Sequence, residues 1–411
     1  MIDLTKPINL TSAEFVNDKY DWYERIREEA PVHKGKISVL TVYTLSRYED
    51  CASILKDPRV LRNRSVANGG GSRFPFPVPK SVKPLIESMI QADEPEHRRL
   101  RELVRRAFRP QAIKQVEERI ASHTDELLDD LESQGEFELQ SSFALPIPVR
   151  MIGDMLGVKR DDMPRLRNTI STVTEGFGGL RMLRSLMVDL PSAVRFMREL
   201  IAEKRTNPGD DILTELINTE HDGDQLTEDE LVAMAFLLVV GGYETTVHLI
   251  TNGILTLLQQ PEQLARLREE PDLAETAIEE ILRHRGPIQG TKPGYPSEDI
   301  TLHGVTIPRG KPIMPLLGAA NHDPRVFDDP HTFNIARTPN RHLGFGHGVH
   351  FCLGAHLARA EAKIAIMGLI QRFPDLRLAC DESALELQAM PLWHRYRQLP
   401  LATGKRRAIA A

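Results

Sequence analysis

The sequence predicts a mainly α-helical fold with small β-sheets, an α+β chain in which strands are the minor part. Three observations carry this. Apolar residues recur at helical spacing along most of the 411 residues. One such pattern, ending at Gln260, runs for about 33 residues without a break, roughly 50 Å of helix. Alternating, β-branched sequence is confined to two stretches, near 32–45 and 288–317. Length alone would favour two domains, but no linker-like stretch divides the chain, so it reads as one domain over 1–411.

Composition narrows the function. A net charge of −6 argues against nucleic acid as the main partner. The three cysteines, Cys51, Cys352 and Cys380, are widely spaced and form no disulfide framework, which predicts a reduced, cytoplasmic setting. The N-terminus has no cationic region followed by an apolar core, so no signal peptide is read there. The longest uncharged apolar run, Leu231 to Tyr243, is shorter than the ~20 residues of a membrane span. A soluble protein without a membrane span is expected.

In chain order, residues 12–30 read as a helix carrying Phe15, Trp22, Tyr23 and Ile26 and closed by Pro31, followed by a hairpin over 32–45 turning around Gly35. Arg47 to Leu55 is helical, with Cys51 as a small packed core residue. From Ser65 to Pro84, three consecutive glycines and four prolines exclude regular structure. This is a long loop: a lid, given the apolar Phe74, Phe76 and Val78, or else a disordered segment. A helix then opens at Asp93-Glu-Pro-Glu-His, with acids and a proline in its first turn. His97 and Arg101 share a face of it, and Arg98, Arg99, Arg105, Arg106 and Arg109 make the segment basic. It is either a solvated face or one on which His97 and Arg101 meet two carboxylates of a ligand.

Helical patterns follow over 111–133 and 146–158, then a pair over 162–206 around Gly176, Gly178 and Gly179, which reads as a flap. Leu180 and Met182 near its tip would line an apolar entrance or simply pack. Thr227-Glu-Asp-Glu230 is a capping box that starts the long helix. Leu231 to Val240 is apolar on all sides and so should be buried. At Gly241-Gly-Tyr-Glu-Thr-Thr246 the helix is expected to loosen or kink. Glu244 beside Thr245 is costly inside such a helix unless it is used or paired; the other reading is a glycine pair packed on a neighbour with Glu244 reaching water. A helix over 272–284 carries Glu280 and Arg283, and His303-Gly304 marks a hairpin between Ile300-Thr-Leu and Val305-Thr-Ile.

The last motif is Phe345-Gly-His-Gly-Val-His-Phe-Cys-Leu-Gly354, followed by an Ala/Leu/Ile-rich helix. Gly346, Gly348 and Gly354 allow positive φ and let N–H groups close around the Cys352 sulfur, at the positive end of the helix dipole. Such a thiolate suits a metal ligand; the alternative is a glycine-rich turn with an inert cysteine.

The pattern F-x-x-G-x-x-x-C-x-G resembles the haem-binding signature of the cytochrome P450 family. Three more of its motifs stand in order: D-x-P-x-H-x-x-x-R at 93–101, G-G-x-E-T at 241–245 and E-x-x-R at 280–283. The resemblance covers essentially the whole chain and is to the soluble bacterial-type haem-thiolate monooxygenases. It implies a single-domain fold with a long central helix over haem b and a cysteine loop. By resemblance Cys352 is the axial ligand, and His97, Arg101 and His350 hold the propionates. Phe345, Gly346 and Gly354 shape the loop against the haem. Glu244 and Thr245 are the oxygen-activating acid–alcohol pair, and Glu280, Arg283 and Arg337 are a structural triad. Two departures appear: Gly241 replaces a common alanine, and Gly294 stands where many bacterial members have an arginine that contacts a propionate, with Lys292 as a candidate substitute.

The implied reaction inserts one atom of O2 into a small-to-medium hydrophobic substrate. Electrons would come from an acidic ferredoxin or flavodoxin and its reductase, docking on the basic helix at 98–109 and Arg359. Candidate pocket residues are Phe74, Phe76, Leu180, Met182, Phe236, Val240, Ile288, Gln289 and Met390 to Trp393. Two other readings are a peroxide-driven or non-oxygenating haem-thiolate enzyme, against which Glu244-Thr245 argues, and a haem-thiolate sensor or electron carrier, which would need neither lid nor flap.

Overall fold

A computed structural model describes residues 4–70, 82–107, 110–175, 184–221 and 223–404. The chain forms two compact units, one of Met1–Gly71, Ala121–Leu145 and Thr245–Ala411, the other of Ser72–Ile120 and Pro146–Glu244.

In the first unit a four-stranded sheet joins sequence-distant segments. Ile8–Asn9 pairs in parallel with Val32–Ile37, which pairs antiparallel with Leu40–Leu45, which pairs in parallel with Ile313–Pro315. The hairpin turns at Ser38-Val39, with Ser38 at φ 55°, and not at Gly35. Gly35 lies inside its strand opposite Val42, and a Cβ there would sit 2.7 Å from Leu10 Cδ1, so the glycine serves packing. The expected helix over 12–30 is two, Ala13–Asn17 capped by Ser12 and Lys19–Glu29, broken at Asp18. Phe15, Trp22, Tyr23 and Ile26 from the pair bury against Val42, Met314 and Leu316. Cys51 is buried in the helix Tyr48–Ile54, its sulfur 3.3 Å from the Leu45 carbonyl oxygen. The second hairpin turns at His303 (φ 49°) and Gly304 (φ 75°), the paired positive values of a two-residue turn.

The second unit is helical and includes Glu96–Ala107, Pro146–Leu156, Met163–Glu175, Leu190–Thr206 and the first half of Glu228–Gln259. That long helix starts on its capping box: Thr227 N–H donates to Glu230 Oε2 at 2.8 Å, and Glu230 N–H to Thr227 Oγ1 at 3.3 Å. It is α-helical throughout, including the glycine pair. A Cβ on Gly242 would lie 3.3 Å from Ile152 Cδ1, so that glycine permits close packing. By length and composition the helix could cross a membrane, but 61% of its most apolar window is buried inside the protein. Most of Leu231–Val240 is buried, while Phe236 and Val240 are half-exposed. Phe74, Phe76 and Val78 of the expected lid, and Leu180 and Met182 of the expected flap tip, lie outside the described residues.

Candidate functional site

The cysteine loop is built by backbone hydrogen bonds. Gly346 N–H donates to Leu343 O at 2.8 Å, Phe351 N–H to Gly348 O at 3.1 Å and Cys352 N–H to Phe345 O at 2.9 Å. Gly346 and Gly348 adopt φ +74° and +73°, where side chains are strained; a Cβ on Gly348 would also lie 2.5 Å from Leu55 O. Gly354 differs, with φ −86°; it caps the helix Ala355–Arg372, and a Cβ there would meet nothing within 4 Å. Cys352 therefore stands just before a helix N-terminus with an exposed thiol, in contrast to the sealed Cys51. Phe345 is held in place by Arg359, whose guanidinium lies 4.5 Å from its ring centroid. Arg359 is also clamped on Glu279, at 2.6 and 2.9 Å. Burial alone would raise the Glu279 carboxyl, but hydrogen bonds from Arg359 and His342 hold it down at about 2. His350 is half-exposed in the same loop.

Glu244, Thr245 and Thr246 are consecutive in the continuous long helix; Glu244 and Thr246 are buried and Thr245 is half-exposed. Behind Thr246 is Glu361, which sequence reasoning did not single out. Only 1% exposed, its carboxyl is pushed up to about 8 by burial, against a hydrogen bond with Thr246. Burial thus favours the protonated, neutral form of this acid. The signal was its place among Ala358, Ala362 and Ala365 on one apolar helix stripe.

Glu280 and Arg283 are fully buried and bidentate, both contacts 2.8 Å. Arg337 Nε adds a hydrogen bond at 3.2 Å, and Asn340 Nδ2 and the Asn334 N–H add two more at 3.0 Å. Arg283 also donates to the carbonyls of Asn321, Pro330 and Thr332. Asn334 and Asn340 were not legible as members of this network.

On the basic helix Glu96–Ala107, His97 is buried, with Glu94 Oε1 3.5 Å from its Nδ1, and burial lowers its pKa. Arg101 is half-exposed. Arg99 is spent on Glu96, Asp224 and Glu230. Arg98 and Arg105 are 81% and 70% exposed, each beside an acid, Glu94 and Glu102. In the other unit, Gly294 lies so close to Val60 that a Cβ would approach its Cγ1 to 2.4 Å, so an arginine cannot replace it without rearrangement. Lys292 is exposed, and its carbonyl accepts from Arg62.

Of the candidate pocket residues, Ile288 pairs with Trp393 through an isolated antiparallel bridge, and Gln289 N–H donates to Leu392 O at 2.7 Å. Ile288, Gln289 and Trp393 thus come together. Gln289 is buried and donates its side-chain amide to Gly286 O at 2.7 Å, so that end is not available as a polar anchor.

A family model described as Cytochrome P450 matches residues 190–378. The cytochrome P450 107B1 of Saccharopolyspora erythraea is 38% identical over 95% of this chain and 96% of its own length. A biotin biosynthesis cytochrome P450 of Bacillus subtilis is 37% identical over 92% of this chain and 94% of its own. Among solved structures, the Bacillus subtilis bacillaene polyketide synthase cytochrome P450 PksS superposes with a TM-score of 0.90 at 34% identity, covering 96% of this chain and 99% of that one. P450BioI, solved in complex with hexadec-9Z-enoic acid ligated acyl carrier protein, gives 0.85 at 35% identity, covering 95% and 99%.

Proposed function

The chain belongs to the cytochrome P450 family, and on that premise we propose that it hydroxylates or epoxidises a small-to-medium hydrophobic substrate at a haem ligated by Cys352. It is an oxidoreductase of the monooxygenase class, and haem b is the family's cofactor. The observation that carries the residue assignment is the cysteine loop: an exposed thiol at a helix start, on a turn that only glycines can make at Gly346 and Gly348. The residues fit the group. Val349 and Phe351 leave apolar surface exposed in the same loop, which a flat macrocycle would cover, and Gly354 leaves room there.

When bound, the thiolate-ligated haem supplies the oxidising chemistry; position, shielding and protons come from the chain. Cys352 would be kept as thiolate by the helix N-terminus and the Arg359 charge. Phe345, pinned by Arg359, would exclude water from the sulfur. His350, His97 and Arg101 would hold the propionates as hydrogen-bond donors. Thr245 and Glu244 would hold and move protons for the reaction. Glu361, neutral behind Thr246, would hold that hydroxyl in place.

Electrons are assigned to a separate acidic ferredoxin or flavodoxin with its reductase, and the setting to the cytoplasm without a membrane span. Arg98 and Arg105, ion-paired to Glu94 and Glu102 but largely exposed, support docking on the basic helix; Arg99 and Arg359, paired and far less exposed, contribute less. Charge reversal at Arg105 and Arg106 should slow reduction and flatten its salt dependence; unchanged kinetics would remove this docking site. Relatives are named for biotin biosynthesis, polyketide biosynthesis and vitamin D(3) 25-hydroxylation, so the substrate class stays at the level of hydrophobic molecules. The test is turnover under labelled dioxygen with a surrogate redox system. One labelled oxygen atom per product supports the reading, and product labelled only from water contradicts it.

A further inference from the structure

A second polar cluster lies in the same unit as the cysteine loop and has no part in the scheme above. It gathers on the ring of Tyr20, with His322 at 4.9 Å and His394 at 5.9 Å between centroids, and His284 5.5 Å beyond His322. His394 is 3% exposed and Asn252 0%, and Tyr23 and His248 are buried with them. Yet both ring nitrogens of His394, the Tyr23 hydroxyl, Nδ1 of His284 and of His248, and Oδ1 of Asn252 meet no hydrogen-bond partner among the described residues. Asn252 is firmly oriented, because its NH2 donates to Arg285 O and His394 O, both at 2.9 Å, which leaves its oxygen as an acceptor. Gly318 lets the Gln289 side chain and the Tyr23 ring approach the cluster: a Cβ there would lie 1.9 Å from Gln289 Oε1 and 2.8 Å from Tyr23 Cε2.

Buried polar groups in proteins are almost always satisfied, and each orphan costs about 1–3 kcal/mol. Several in one place are more than a domain stable by ~5–15 kcal/mol carries. The ligand that answers them must both donate and accept. A cation is opposed by Lys19 and Arg285, which both act on His394, and no group of metal-ligating side chains is found among the described residues. Burial keeps His284, His322, His248 and His394 neutral, so each imidazole offers one donor and one acceptor. Ordered water, which needs two to four polar partners, has this chemistry.

The cluster also underlies the segment that carries Trp393. Lys19 donates to Trp393 O at 2.8 Å, Asn252 holds His394 O, His394 N–H donates to Pro287 O at 2.9 Å, and the His248 ring stands edge-on to Trp393 at 6.2 Å. We propose that His394, Tyr23, His284, Asn252 and His248 enclose a site for ordered water molecules that positions Trp393. Its effect on substrate rests on the reading of Trp393 as a pocket residue; the water site itself does not.

The test is a high-resolution crystal structure of the haem-loaded protein, wild type and His394→Phe. Expected are discrete water peaks within hydrogen-bond distance of both His394 nitrogens and of the Tyr23 hydroxyl. In the variant these peaks should vanish and Trp393 should shift, with a severalfold weaker substrate-induced spin-state change but an unaltered carbon monoxide spectrum. His394→Gln, which keeps a donor and an acceptor, should retain the waters and the affinity, and it serves if the phenylalanine variant does not fold. A dry cluster, or His394 nitrogens bonded directly to protein, overturns the site. Waters present with Trp393 unmoved in His394→Phe overturns its positioning role. Waters and a moved Trp393 with unchanged substrate binding uphold the water site and instead remove Trp393 from the pocket.

Discussion

Consider Glu280→Ala. The carboxylate sits in a fully buried site and accepts from Arg283 twice, from Arg337, from Asn340 and from the Asn334 N–H. Its removal leaves the Arg283 guanidinium buried without a counter-charge, a loss of about 3–5 kcal/mol. The stranded Asn334 and Asn340 donors each add up to about 1–3 kcal/mol, although losses within one network do not sum. Arg337 relaxes part of the cost, since its side chain keeps 11% exposure and its donations to Asp328, Asp329 and Thr332 carbonyls. The net expectation is on the order of 5 kcal/mol, much of the stability of a typical domain. Denaturant unfolding of the haem-loaded protein, followed by the Soret band and far-ultraviolet circular dichroism, measures it. The double variant Glu280→Met/Arg283→Leu, which removes both charges, should be less destabilised than Glu280→Ala alone. A Glu280→Ala midpoint within about 1 kcal/mol of wild type would refute the reasoning.

Other substitutions read out other parts of the account. Glu361 keeps its proton up to about 8 when folded but titrates near 4.5 when unfolded, so its contribution is full below pH 4.5 and is lost as pH rises to 8. That loss is on the order of 4 kcal/mol, and Glu361→Gln should flatten this part of the stability profile; an unchanged slope would contradict a buried neutral acid. Gly348→Ala combines a positive φ with a 2.5 Å approach to Leu55 O and should lower haem content severely, whereas Gly241→Ala meets open space within a helix and should be neutral or stabilising by up to about 1 kcal/mol. Pyridine haemochrome assay and unfolding midpoints decide both. Thr245→Ala should cut product per reducing equivalent by about 10²-fold while oxygen consumption continues and peroxide appears; unchanged coupling would remove Thr245 from proton delivery.

What was legible in the sequence was mostly local. The long helix and its capping box, the His303-Gly304 hairpin and the helix after Cys352 depend on patterns contiguous in the sequence, and each is found. The failures are tertiary. Gly35 looks like a turn residue but is small because Leu10 packs against it, and Gly242 left two readings open until Ile152 was seen against it. Arg359 reads as a free surface charge until Glu279, eighty positions earlier in the chain, is brought to it. Glu361 resembles any glutamate on an alanine-rich helix, and only burial reveals it as a neutral acid. The Tyr20–His394 cluster spans nearly the whole chain, so no sequence window contains it.

The central claim is that Cys352 is the proximal thiolate of a bound haem. The most direct measurement is the absorption spectrum of the dithionite-reduced protein under carbon monoxide, for wild type and Cys352→His. The account predicts the long-wavelength Soret band in wild type and its loss in the variant. A wild type that binds no haem, or that shows only the shorter-wavelength band of a neutral ligand in freshly prepared protein, would contradict it.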